Sequence, residues 1–282
     1  MSRERPPDHE IPADSLPEGF ARSIEAPDGP PPEARPAATV VLMRPSAGGA
    51  LEVLLLRRAR TSRFVPGAWV FPGGRVDRAD RAPGLLERLA PSERSRLARR
   101  LGLEGDEARA VGFLAAALRE TFEETGLLPG VDPSASARLE ELRAGLLRGD
   151  LDLSAVLEAT GTELGLDGIA YIAHWVTPEA EPRRYDTRFF ALRTDPARAV
   201  RVIESEITEA RWLAPGHALA LHRARELPMI FPTIRTLESL EPFDDPDAVL
   251  AHFRDLPIPR ILPRLVRTPT GVGIVVPEEP PS

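Results

Sequence analysis

The chain has 282 residues, 42% of them apolar, and a net charge of −7: it can bury a sizeable core as one large domain with additions or as two small ones, and its acidity argues against a general nucleic-acid binder. Cysteine is absent, which excludes disulfides, thiolate zinc sites and cysteine nucleophiles, and lysine is absent, which excludes a P-loop lysine and a Schiff base. No run of about 18 apolar residues is present to span a membrane, and the first residues lack the apolar stretch of a signal peptide, so the expected location is the cytoplasm.

Residues 1–36 are rich in Pro, Glu, Asp and Arg without regular apolar spacing and read as a disordered tail, with a short anchoring strand within it left open. Ala37 to Met43 and Leu51 to Leu56 are apolar runs separated by Pro45-Ser46-Ala47-Gly48-Gly49, the pattern of a strand pair. Arg57, Arg58 and Arg63 follow, and Ala68 to Phe71 leads into Pro72-Gly73-Gly74. Two adjacent glycines let backbone N–H groups approach a phosphate. Gly84 to Leu89 and Ser92 to Leu101 have helical spacing, with Pro91 between them.

The organising stretch comes next. Asp106 is placed to cap a helix that runs to Thr125, and Gly126 to end it in the left-handed conformation. Val111, Leu114, Ala115, Leu118 and Phe122 form its apolar stripe, whereas Glu120, Glu123 and Glu124 gather on the opposite side. Those carboxylates repel one another, and Glu123 and Glu124 lie near the negative end of the helix macrodipole. A solvated face does not need this arrangement. A hard divalent cation would relieve it, and Arg119, four residues before Glu123, can hold that carboxylate in place. Ala116 and Ala117 border the acidic face and are expected to leave it uncrowded.

Downstream, Ala135 to Leu147 and Leu153 to Ala159 read as helices, and Ile169 to Val176 and Arg184 to Leu192 as strands. Asp186 and Arg188 share one strand face as an ion pair or as substrate contacts. His174 reads as a satisfied core histidine. Glu204 to Leu213 is a further strand, Pro215 opens a helix to Arg223, and Pro232 to Leu240 and Pro246 to Phe253 are short helices. Ile261 to Val266 and Gly273 to Val276 suggest a terminal hairpin.

Arg119-Glu120-Thr121-Phe122-Glu123-Glu124-Thr125-Gly126-Leu127, preceded by Phe71-Pro72-Gly73-Gly74, resembles the Nudix box, the signature of the Nudix hydrolases. In the uninterrupted box a glycine stands fourteen residues before the arginine and a glutamate eight before it; here those positions hold Gly105 and Val111. Gly74 is therefore read as the start of the box, with an insertion from about Arg75 to Glu107. Asp77 and Asp80 are the candidates to replace the missing glutamate. The run from Leu54 through Arg58, Arg63 and Gly67 to Gly74 is similar to an added signature of Nudix enzymes that cleave coenzyme A, departing at Leu56 where threonine is usual. The insertion and the run Arg183 to Phe190 resemble the same subgroup.

The resemblance implies a Nudix fold of the α/β (α+β) class, an α/β/α sandwich around a mixed sheet. The domain would span 37–245 with a helical insertion at 75–107, followed by an extension at 246–282. It further implies Mg²⁺ or Mn²⁺ held by Glu120, Glu123 and Glu124. Catalysis would fall to Glu120, Glu123 and Arg119, and a nucleotide substrate would meet Arg58, Arg63, Gly73, Gly74 and Arg188. Glu206 is a further metal candidate outside the box. Coenzyme A or its acyl esters are the favoured substrate. The alternatives are another nucleoside diphosphate derivative, such as a dinucleoside polyphosphate, NADH or a sugar nucleotide, or a non-catalytic nucleotide or coenzyme A sensor.

Overall fold

Proline sets where many helices begin: Pro83, Pro91, Pro215, Pro232 and Pro246 each lie in the first turn of one, where the missing N–H is no loss and φ is already helical. A computed structural model of the chain describes residues 6–12, 24, 29–62, 65–131, 136–203 and 206–277. In chain order its elements are β1 (His9–Pro12), β2 (Arg35–Pro45), β3 (Leu51–Arg58), β4 (Trp69–Val70), β5 (Gly73–Arg75), a 3₁₀ turn (Ala79–Arg81), α1 (Pro83–Glu87), α2 (Pro91–Arg100) and α3 (Glu107–Thr125). After these come α4 (Ser136–Arg148), α5 (Leu153–Thr160), β6 (Ile169–Val176), β7 (Tyr185–Arg193), β8 (Ile207–Leu213), α6 (Pro215–Arg223), α7 (Phe231–Leu240), α8 (Pro246–Phe253), β9 (Arg260–Ile261), β10 (Arg264–Arg267) and β11 (Gly271–Val275). None of the described helices is long and apolar enough to cross a membrane.

The chain forms two compact units. The larger comprises Ala37–Ile172 and Arg188–Ile258. Its strands run in the order β4-β3-β2-β7-β6, with β5 paired to β2 and β8 to β3. The β3–β8 ladder shifts register between Arg57 and Arg58, so that Arg57 faces Glu209 and Arg58 faces Ile207. An irregularity of this kind re-aims a side chain, and here it does so at a candidate site arginine. The smaller unit comprises residues 1–36, Ala173–Thr187 and 259–282. In it β11 lies between β1 and β10, antiparallel to both, and β9 runs parallel to the second half of β6 with Trp175 opposite Ile261.

The anchoring strand left open within the N-terminal tail is present: His9–Pro12 pairs with β11. Residues 246–258 belong to the larger unit and 259–282 to the smaller, so the stretch after 245 is not one extension. The terminal hairpin is present as β10–β11; residues 278–282 and most of 13–28 lie outside the described residues.

The insertion packs as core. Leu85, Leu89, Leu97, Ala98 and Leu101 are buried in one cluster with Val111, Leu114, Ala115 and Phe122 of α3 and with Ala38, Val40, Leu54 and Leu56 of the sheet. Arg100 at the end of α2 donates to the carbonyls of Phe253 (2.8 Å) and Leu256 (2.7 Å), tying the insertion to the end of α8. Ala116 and Ala117 are buried in the same cluster and do not border an open acidic face as the helical spacing suggested. Leu89→Ala should therefore lower the stability of the whole larger unit by about 2–5 kcal/mol in urea unfolding, as for other fully buried leucines. A change below about 1 kcal/mol would mark the insertion as a separate lid.

Candidate active site

Helix α3 is bounded as its sequence requires. The Asp106 side chain accepts from the N–H of Arg109 (3.1 Å), and Gly126 takes φ 72° at the other end. Between them the helix presents Arg119, Glu120, Glu123 and Glu124 in its last two turns. Arg119 is buried and makes five hydrogen bonds to four groups. Nε and Nη2 donate to the two carboxylate oxygens of Asp80 (2.8 and 3.0 Å). Nη1 donates to Glu120 (2.9 Å) and Glu123 (3.0 Å), and Nη2 also to the carbonyl of Arg75 (2.9 Å). A planar guanidinium gripping a carboxylate with two parallel bonds is a strong and directional arrangement.

Asp80 is only 1% exposed. One of its oxygens also accepts from the N–H of Asp77 (2.8 Å), whereas the Asp77 side chain is 3.9 Å from Arg119 and half exposed. Of the two candidates, the structure seats Asp80 against the arginine. The spacing could have shown this: Asp80 follows Gly74 by six residues, the interval between glycine and glutamate in the uninterrupted box. The 3₁₀ turn that carries Asp80 rests on α3 at Gly112, where an added Cβ would stand 2.8 Å from Cγ of Arg81.

The double glycine seats carboxylates. Gly73 donates its N–H to Glu124 (3.0 Å), and a Cβ on Gly74 would overlap the carboxylate of Glu120. Both glycines lie in β5, Gly74 opposite Ala38 and Gly73 opposite Thr39. The phosphate approach expected of them is thus joined by a second demand for small size.

Burial raises the pKa of all three glutamates. At Glu120 desolvation leads, opposed by Arg119 and reinforced by the charges of Asp80 and Asp77. Glu123 is raised to about 7, by desolvation first, with Arg119 pulling down and Glu120 pushing up. Glu124 is raised to about 8, by desolvation and then by the Glu120 charge; the Gly73 N–H and Arg58 act the other way, and Glu206 adds to the rise. For Arg119 burial pulls downward, but the hydrogen bond to Asp80 and the charges of Glu120, Asp80 and Glu123 outweigh it, so the pKa rises and the guanidinium stays charged.

By donor chemistry the three carboxylates fit a divalent cation: they are hard oxygen ligands within about one helical turn, and a cation would remove the repulsion they now bear. They are not drawn into a finished ligand set, because Glu120 and Glu123 are held by Arg119 and Glu124 by Gly73. Among the described residues no group of three or more His, Asp or Glu side chains has metal-holding geometry.

Arg58 and Glu206 act on Glu124 from outside the box, which brings both to the site; the backbones of Ala59 and Glu206 are joined by a 2.8 Å hydrogen bond. Arg63 lies outside the described residues. Arg188 is buried with its guanidinium 4.4 Å over the ring of Phe113, and Nη2 reaches the carbonyl of Leu101 at 3.4 Å. Phe113 precedes Glu120 by two turns, about 10 Å along the helix. Asp186 pairs with His174 (2.6 Å), which gives that buried histidine the satisfied role expected of it.

No family profile matches the chain. A solved NUDIX hydrolase from Alicyclobacillus acidocaldarius is 31% identical; the match covers 78% of this chain and 96% of that one, with a TM-score of 0.63. The chain belongs to the Nudix hydrolase family. Nudix hydrolase 7 of Caenorhabditis elegans is 32% identical over 167 residues, 58% of this chain and 46% of the relative. The human acyl-coenzyme A diphosphatase NUDT19 is 29% identical over 256 residues, 75% of this chain and 67% of the relative. The chain thus spans about half to two thirds of the length of these two Nudix relatives.

Gly73 is the most constrained backbone position of this Nudix site. It has φ 154°, and a Cβ there would overlap the carbonyl oxygen of Ala38 in the paired strand. Gly73→Ala should destabilise the protein by about 1–3 kcal/mol in urea unfolding, since neither backbone can yield cheaply. An unchanged midpoint would show that β5 is not held as described.

Proposed function

We propose that the chain is a metal-dependent hydrolase that cleaves the diphosphate linkage of coenzyme A or acyl-coenzyme A. The products are 3′,5′-ADP and 4′-phosphopantetheine or its acyl form. The observation that carries this reading is the set of three desolvated carboxylates, two held by Arg119 and the third by the Gly73 N–H, with the charge of Arg58 acting on Glu124. The name of the human relative, an acyl-coenzyme A diphosphatase, supports the choice of substrate. So does the placing of Arg58 and Arg63 before the double glycine.

Glu120, Glu123 and Glu124 would hold Mg²⁺ or Mn²⁺, which when bound would neutralise phosphate charge and acidify water. Arg119 keeps two of those carboxylates in position. Glu120 or Glu123 accepts a proton from the attacking water at a carboxylate oxygen. The water oxygen bonds to phosphorus, the bond from that phosphorus to the bridging oxygen breaks, and the bridging oxygen leaves with the other phosphate. Arg58 and, by its place in the sequence, Arg63 are assigned to the phosphate oxygens of the substrate, which planar guanidinium groups suit.

The test is product analysis with acetyl-coenzyme A, NADH, a dinucleoside polyphosphate and a sugar nucleotide, each with Mg²⁺, with Mn²⁺ and without metal. Metal-dependent release of 3′,5′-ADP is the expected result. Cleavage of only the other compounds would keep the site and discard coenzyme A, and no cleavage at all would favour a nucleotide-binding module. Glu124→Gln should lower kcat by more than about 100-fold without lowering Tm, because it removes a charged ligand and keeps an acceptor for the Gly73 N–H. Retained activity with unchanged metal dependence would refute the role of Glu124. Arg63→Ala should raise KM for coenzyme A more than for its dephospho form; equal changes would place Arg63 away from the 3′-phosphate.

A further inference from the structure

The acidic cluster lies at the end of α3 where the helix dipole is negative, which is the least favourable place on a helix for glutamates. Arg119 answers this from the N-terminal side. A second arginine, from a helix outside the sequence motif, answers it from the other. Arg143 of α4 is 5% exposed. Its Nε and Nη2 both donate to the main-chain carbonyl of Glu123, at 3.0 and 2.6 Å. Its Nη1 would stand 3.2 Å from a Cβ on Gly126, so the absence of a side chain there gives the guanidinium its seat.

Other contacts close the same turn. The N–H of Gly126 bonds to the carbonyl of Phe122 (2.9 Å), the N–H of Leu127 to Oγ1 of Thr125 (3.1 Å), and the N–H of Arg201 to the carbonyl of Thr125 (2.8 Å). Arg143 thus meets one of the orphan carbonyls that end a helix, at the residue whose side chain Arg119 holds. Burying a guanidinium is costly unless its donors are engaged, and two of these are spent on one oxygen.

We infer that Arg143 is a positioning residue of the site: it clamps the carbonyl of Glu123, fixes the last turn of α3 and so the carboxylates of Glu123 and Glu124, and sets a positive charge at the negative helix end. The inference rests on the proposed hydrolase reading for its catalytic part and on geometry alone for the clamp.

The test compares the full chain with Arg143→Met, Arg143→Lys and, as a control on the same helix, Arg148→Gln, which removes the exposed pair with Asp150 (2.7 Å). Two readouts are taken: amide hydrogen exchange over residues 123–128, without metal, and kcat and KM on whichever diphosphate the unaltered chain cleaves. Arg143→Met should speed exchange in that turn and lower kcat, each about tenfold, with KM within twofold, the lower end of what outer contacts of a metal site are worth. Arg143→Lys should recover part of both, and Arg148→Gln should change neither. Unchanged exchange, or unchanged kcat, in Arg143→Met would overturn the proposal. If Arg143→Met does not fold, the intermediate behaviour of Arg143→Lys decides, and wild-type values there would overturn it. If the unaltered chain cleaves none of the diphosphates, the hydrolase reading fails, and the exchange of residues 123–128 still decides the clamp.

Discussion

Three glutamates within about one helical turn, desolvated and at the negative helix end, do not sit together without cations, and Arg119 is the side chain that makes the arrangement possible. It joins Glu120 and Glu123 on its own helix to Asp80 near the start of the insertion and to the carbonyl of Arg75 at the end of β5. A buried guanidinium with these partners leaves little freedom to any of them, because losing one exposes the others to an uncompensated charge. The double glycine completes the constraint from below. Gly73 holds Glu124 and Gly74 makes room for Glu120.

The insertion follows from that constraint. A Nudix box read without interruption would bring its first acid to the arginine along one short stretch of chain. Here more than thirty residues intervene, and the acid arrives on a 3₁₀ turn that packs on α3 at Gly112, where an added Cβ would press on the Arg81 side chain. The apolar residues of α1 and α2 then cover the N-terminal half of α3. The same burial that anchors the insertion makes the middle of α3 apolar on every side, so polar chemistry is confined to its last two turns.

Much of this was legible in the sequence because it is local. The cap at Asp106, the end at Gly126, the Arg119 to Glu123 pair and the acidic face follow from spacing along one helix, and they lie in the structure where spacing put them. Asp80 was half legible: its interval from Gly74 fits, but two aspartates shared the turn and only the fold shows which one is buried. What depends on distant pairing was hidden. The strand at His9–Pro12 needs β11, some 260 residues later, to exist. The burial of Ala116 and Ala117 depends on packing that no period reveals. Arg188 shared a strand face with Asp186, yet its guanidinium stacks on Phe113. Arg143 belongs to no motif and gains meaning only from the carbonyl it meets.

The claim on which the rest turns is that Asp80 and Arg119 form one buried unit that holds the acidic face. A double-mutant cycle of Asp80→Ala and Arg119→Met, read by urea unfolding of the full chain, tests it most directly. The account predicts a coupling energy on the order of 2 kcal/mol or more, at the upper end of what contacting residues show. Additivity within about 0.5 kcal/mol would contradict it, for the two side chains would then be independent and the insertion would have no hold on the site.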